Sequence, residues 1–228
     1  MFRKLLAVIF IFFIFINSDK LFQKFDPNVV NRYLRSQDIV DETSRIKDRI
    51  FVSDEEIYIA SGYLYANGAK PTDYNFQHPP LIKYLFGLSS EYFNLPLLPN
   101  IIFALILVFE VFLLGKLVFK NEIVGFVASV LFMLDPVFKE VTIYALLDLG
   151  QMVFILGFII TSLFYKNKWV LQGILLGLAM ASKFYSPVII FLGLIYLYKF
   201  FKKELNVKRE LLVLSVGFLS FSLCYIKA

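Results

Sequence analysis

"LLPNIIFALILVFEVFLLGKLVF", Leu97 to Phe119, decides how the rest of the chain is read. Its only charges are one acid, Glu110, and one base near the end, Lys116. A helix crosses a ~30 Å hydrocarbon core with roughly 20 apolar residues, and this stretch supplies them. Six more apolar segments can be read outward from it: Leu5–Ile16 before, and Ile123–Phe138, Val141–Tyr165, Trp169–Ser186, Pro187–Phe201 and Leu211–Tyr225 after. The composition agrees, with 59% hydrophobic residues, 27 of them Phe, among 228. A soluble domain would struggle to hide that much apolar surface. The expected fold is therefore all-α: one membrane module over residues 1–228, a polytopic transmembrane bundle of about seven spans. Residues 17–96 form a large, partly helical first extracytoplasmic loop in this reading.

The first segment is short, ~18 Å of helix, and the basic "FRK" before it is also how a signal peptide begins. "INSDKLF" offers no small-x-small cleavage site, so it reads as an uncleaved first helix. The net charge of +5 says less than where Lys and Arg fall. Arg3 and Lys4 precede the first span, and Lys116 and Lys120 close the second. Lys166 and Lys168 separate the fourth and fifth. Lys199, Lys202, Lys203, Lys208 and Arg209 separate the sixth and seventh. A cytoplasmic N-terminus puts all of them inside, as the positive-inside rule requires. Residues 17–96, Asp135, Asp148 and Lys183 then share the outer face. Glu110 falls mid-span, where a carboxylate is costly and functional by default.

The outer loop carries local signals of its own. Val29–Phe51 has helix-like apolar spacing. Ser53, followed three residues on by Glu56, forms a capping box, Asp54 and Glu55 fill the first turn, and Gly68 can end that helix. Pro79 and Pro80 can open a second helix, as prolines do at a first turn. Its stripe of Leu81, Tyr84, Leu85 and Leu88 suits a membrane interface. The only histidine, His78, stands just before it in "YNFQHPPLIKYLFGL".

Asp54, Glu55 and Tyr58, followed by the run His78-Pro79-Pro80-Leu81 with Lys83, resemble the protein O-mannosyltransferases. More broadly they resemble the GT-C glycosyltransferases that use polyprenyl-phosphate sugars, including the aminoarabinose transferases of lipid A. "YALLDLGQMVFILGF" (Tyr144–Phe158) is similar to the family's "LLD" at the outer start of a span. "GILLGLAMASKFYS" (Gly173–Ser186) is similar to its "GLA..SK" run. The likeness covers about Asp54 to Ser186. The chain departs from the family pattern at Phe76, where members often carry Asp, and at Ile143, where Arg is common.

The resemblance implies transfer of a sugar, mannose in the O-mannosyltransferases, from a polyprenyl phosphate to an extracytoplasmic hydroxyl on protein or lipid. It implies Asp54 as catalytic base with Glu55 beside it, and His78, Lys183 and Lys83 as donor-phosphate ligands supported by Tyr58 and Asp148. It also implies further C-terminal spans and a soluble domain beyond those read here. No metal site is expected from the residues, because a lone His without clustered ligands does not make one; the family leaves room for a divalent ion. Two other classes compete. A transporter would use Glu110, Asp148 and Lys183 as a polar path, but no pair of interrupted helices in symmetric halves accompanies them. A non-catalytic subunit would bind lipid-linked sugar and hand it on. The one cysteine, Cys224, excludes an internal disulfide. Nucleic acid is not an expected partner, because the basic residues form span flanks rather than a binding face.

Overall fold

The computed structural model describes residues 2–37 and 51–226. Every regular element among them is a helix: α1 (Phe2–Ile16), α2 (Ser18–Leu21), α3 (Asn28–Gln37), α4 (Asp54–Ala66), α5 (Leu81–Phe93), α6 (Leu98–Phe119), α7 (Glu122–Met133), α8 (Pro136–Ile143), α9 (Asp148–Phe164), α10 (Trp169–Ser182), α11 (Tyr185–Phe201) and α12 (Val207–Leu223). The all-α class follows. The helical spacing read over Val29–Phe51 is met by α3, and its remainder lies outside the described residues.

Among the described residues α6 alone is long and apolar enough by itself to cross a membrane. The segment read as one span over Val141–Tyr165 is divided. Its start belongs to α8 and the rest is α9, and the two meet at 117°. Pro136 opens α8, with the Asp135 carboxylate accepting from Val137 N–H at 2.7 Å. The break after Ile143 has no proline or glycine to announce it. It is held from outside. The Asn100 side chain donates to the carbonyls of Val141, Thr142 and Tyr144 at 3.3, 3.1 and 2.7 Å, carbonyls a continuing helix would have used itself. The other apolar helices α7, α10 and α11 are shorter than a full span.

Close helix contacts are made at glycines. A Cβ on Gly62 of α4 would fall 1.9 Å from the Lys83 carbonyl of α5, and one on Gly87 would fall 1.9 Å from the Gly62 carbonyl. Backbone therefore lies on backbone across α4 and α5, and only glycine fits at either place. Gly173 and Gly177, a G-x-x-x-G pair on α10, meet α12 around Gly217 in the same way. On α5 Ile82, Lys83, Phe86 and Gly87 are buried, whereas of the apolar stripe Leu81, Tyr84 and Leu85 are half-buried and Leu88 is exposed.

Connectivity divides the bundle into two ends. The N-termini of α9 and α11 and the C-termini of α10 and α12 share one end. Ion pairs mark the other: Lys116 with Glu122, Lys166 with Glu204, and Lys199 with Glu210. Lys199, read from sequence as a flanking charge, is only 2% exposed, and its partner Glu210 is 6% exposed.

Candidate functional site

The site begins where α4 begins. Ser53 Oγ accepts from Glu56 N–H at 3.3 Å and the Glu56 carboxylate accepts from Ser53 N–H at 3.2 Å, the capping box expected from sequence. The three acids of the first turn then diverge. Glu56 is held in the cap and by the Arg32 guanidinium, with Nε at 3.0 Å. Glu55 turns inward and accepts from the Ala145 N–H at 3.1 Å, at the break between α8 and α9. Asp54 is exposed, and no hydrogen bond or ion pair engages it among the described residues.

A chain of ring contacts starts one turn beyond Asp54. Tyr58, one turn on and buried, meets His78 edge-on with ring centroids 5.5 Å apart. His78 in turn packs against Phe184 at 4.6 Å. Beside Phe184, the Lys183 ammonium lies 2.7 and 2.8 Å from the Asp148 carboxylate oxygens. Asp54, Tyr58, His78, Asp148 and Lys183 thus gather at one end of the bundle, drawn from four separate parts of the sequence.

Electrostatics link them. Burial, then the positive charges of Lys83 and Lys183, hold the His78 imidazole below its ordinary range, against the pull of Asp54 and Asp148. The ring is therefore neutral at neutral pH, and its Nδ1 is buried with no partner among the described residues. Burial, reinforced by Asp54 and Asp148, pushes the Tyr58 hydroxyl up to about 12. Burial also raises Glu55, with the Ala145 N–H and Lys20 pulling the other way.

Lys83 has a different place from the one expected for a phosphate ligand. It is fully buried, and its ammonium donates to the carbonyls of Asn75 and His78 at 2.7 and 2.8 Å, with Asn75 Oδ1 and the Tyr65 hydroxyl at 3.1 and 3.2 Å. An ammonium has three protons, and protein acceptors take them all. Lys83 holds the turn that carries His78, with Asn75 in the left-handed region at φ 44°, instead of facing a ligand. Lys183 does reach the cluster, but its charge is met by Asp148. No group of three or more His, Cys, Asp or Glu side chains able to hold a metal is found among the described residues.

Three polar residues that the sequence reading passed over build this end. Asn100 holds the α8–α9 corner. Gln151, one turn after Asp148, donates to the carbonyls of Phe184 and Ala179 at 2.7 and 3.3 Å and so ties the end of α10 to α9. Lys20 lies 5.8 Å from the Tyr144 ring centroid, beside Glu55. A buried amide in an apolar run was the available signal for Asn100 and Gln151, because an amide placed there must find partners.

No family model matches the chain, and no curated protein or solved structure does. What the geometry itself offers is an exposed carboxylate at a helix start, a neutral imidazole with a free nitrogen, and a lysine–aspartate pair, all on one face. A carboxylate so placed can take a proton from a hydroxyl, and the lysine can meet developing negative charge.

Proposed function

We propose that the chain is a membrane-embedded glycosyltransferase that takes a sugar from a polyprenyl phosphate and transfers it to an extracytoplasmic hydroxyl. The single observation that carries this reading is the meeting of Asp54, His78, Asp148 and Lys183 at one end of the bundle. These residues also carry the resemblance to the lipid-dependent mannosyltransferases. In this reading α1, α7, the α8–α9 pair, α10, α11 and α12 complete with α6 the seven-span bundle. The N-terminus is cytoplasmic and the cluster faces outward, consistent with the basic residues at the opposite end.

Asp54 removes the proton from the acceptor hydroxyl as its oxygen attacks the anomeric carbon. The bond from that carbon to the phosphate oxygen breaks, and the lipid phosphate leaves with the electron pair. Lys183, shared with Asp148, meets the charge that develops there. The prenyl chain has a matching surface, an apolar groove of about 710 Å³ in which Leu81, Leu85 and Leu88 of α5 face Ile174, Leu178 and Leu223.

The test is transfer from radiolabelled polyprenyl-phosphate sugar to an acceptor in membranes at matched expression. Asp54→Asn removes the base and nearly preserves shape, so activity is expected to fall roughly 10²-fold or more. Full activity in that variant ends the assignment. Donor binding with no transfer by the unaltered chain would favour the non-catalytic subunit.

A further inference from the structure

At the end of the bundle opposite the cluster, two turns are tied together. Lys166 of the α9–α10 turn pairs with Glu204 of the α11–α12 turn at 2.6 Å. Behind them Glu210 accepts from Lys199 at 3.0 Å and from Arg209 at 2.7 Å. The two acids between Tyr165 and Glu210 are thus both taken. Four lysines remain, Lys168, Lys202, Lys203 and Lys208, all exposed and without an ion pair among the described residues. The surplus reaches Glu204. The hydrogen bond from Lys166 holds its carboxyl below the ordinary range, against desolvation, and the charges of Lys166, Lys202 and Arg209 add to the effect.

Local rules do not ask for these lysines. Lys203 sits at φ 57°, in the left-handed region that a glycine occupies more easily just past a helix. Lys208 stands in the first turn of α12, where the positive end of the helix dipole disfavours a cation. Charges kept at a local cost in two places point to a partner outside the chain. The surroundings say which. Tyr165 and Trp169 bracket the α9–α10 turn, and Phe200 and Phe201, 63% and 77% exposed, directly precede Lys202. Aromatic rings beside lysines at the ends of apolar helices mark the headgroup layer, so the four ammonium groups stand at the depth of lipid phosphates.

We propose that these two turns form a binding surface for anionic phospholipid, with Lys168, Lys202, Lys203 and Lys208 on the phosphates and Phe200 and Phe201 entering the acyl boundary. An acidic protein or a nucleic acid would leave the two phenylalanines against water, whereas a headgroup layer takes both rings and charges. Such a surface needs the chain in a membrane and is independent of sugar transfer.

Trp169, the only tryptophan, directly follows Lys168 and reports on this surface. The full chain is placed in liposomes of phosphatidylcholine and phosphatidylglycerol, one lipid at a time brominated high on its acyl chain, and quenching of Trp169 is read. Brominated phosphatidylglycerol should quench roughly 3-fold more effectively than brominated phosphatidylcholine at equal mole fraction, and about 1 M salt should remove most of the difference. Lys203→Gly suits the backbone there, so thermal unfolding should be unchanged or improved while the preference falls about 2-fold. Lys202→Gln with Lys208→Gln should bring the two lipids close to parity. Lys70→Gln, exposed in the turn before α5, should change nothing. Equal quenching by the two lipids, a preference untouched by salt or by the lysine variants, or an equal loss in Lys70→Gln would overturn the proposal. So would full reversal by millimolar glycerol phosphate in solution, which would show a free-phosphate site in place of a lipid surface. Absence of quenching by either lipid would remove the membrane placement as well.

Discussion

The Lys183 ammonium contacts both oxygens of the Asp148 carboxylate, at 2.8 and 2.7 Å, and so joins the end of α10 to the start of α9. Both side chains keep solvent contact, at 21% and 39% exposure. At such exposure an ion pair contributes about 1 kcal/mol or less. Its importance lies in where it holds charge.

A double-mutant cycle of Asp148→Asn and Lys183→Ala, read by thermal unfolding in detergent, should therefore give a coupling of about 1 kcal/mol or less. Sugar transfer should respond far more. Lys183→Ala should lower it more than about 10-fold through weaker stabilisation of the leaving phosphate. A large stability coupling together with unchanged transfer would make the pair a structural clasp.

Glu55 separates positioning from catalysis. Glu55→Gln keeps an acceptor for the Ala145 N–H and should retain most transfer. Glu55→Ala strands that N–H at about 1–3 kcal/mol and should speed hydrogen exchange at the α8–α9 corner. A sign in pH follows from the raised carboxyl. Above its ordinary value of 4.5 the unfolded chain loses this proton more readily than the folded one. Stability should then fall as pH rises from 4.5 to the raised folded value and level off beyond it. Unfolding of Glu55→Gln against pH should lack that fall, and an unchanged profile would refute the assignment.

Lys83 has the opposite slope. Burial pushes its ammonium from 10.5 down to about 7. The cost of keeping it charged is fully present below about 7 and is relieved as pH rises from there towards 10.5. Stability should rise across that window in the unaltered chain. Lys83→Met should lose the rise and unfold the turn carrying His78, at about 1–3 kcal/mol for each acceptor left unpaired. A Lys83→Met chain with full stability would show that the ammonium does not hold the turn.

Two glycines of α4 and α11 should behave oppositely. Gly62→Ala places a methyl 1.9 Å from the Lys83 carbonyl, so α4 and α5 must part, at a cost of about 3 kcal/mol or more. Gly193→Ala meets nothing within 4 Å and should be neutral or stabilise by up to about 1 kcal/mol. Thermal unfolding of the two variants checks both, and equal losses would refute the packing argument.

What was legible from the sequence was local. Ser53 and Glu56 are three residues apart, so their capping box could be read off the chain and fixes where α4 starts. The apolar stripe on α5 could be read from its spacing, and in the fold Leu81, Tyr84 and Leu85 are half-buried while Leu88 is exposed. The apolar run of α6 stood out because length and composition alone define it. The division of α8 from α9 was hidden, because "VTIYALLDLG" contains no proline at the break and Asn100, which takes its carbonyls, lies more than forty residues earlier.

The charges show the same limit. From sequence Lys183 was the stronger candidate for a donor phosphate and Lys83 the weaker, and nothing in the chain fixed the partner of either. Tertiary structure separates them, burying Lys83 against four acceptors and leaving Lys183 on Asp148 in the cluster. Caps, helical periods and apolar runs act within about four residues of chain, and sequence determines them by itself. The partner that a buried cation finds depends on which helices pack together, and here glycine contacts such as Gly62 on Gly87 decide that by letting two backbones meet.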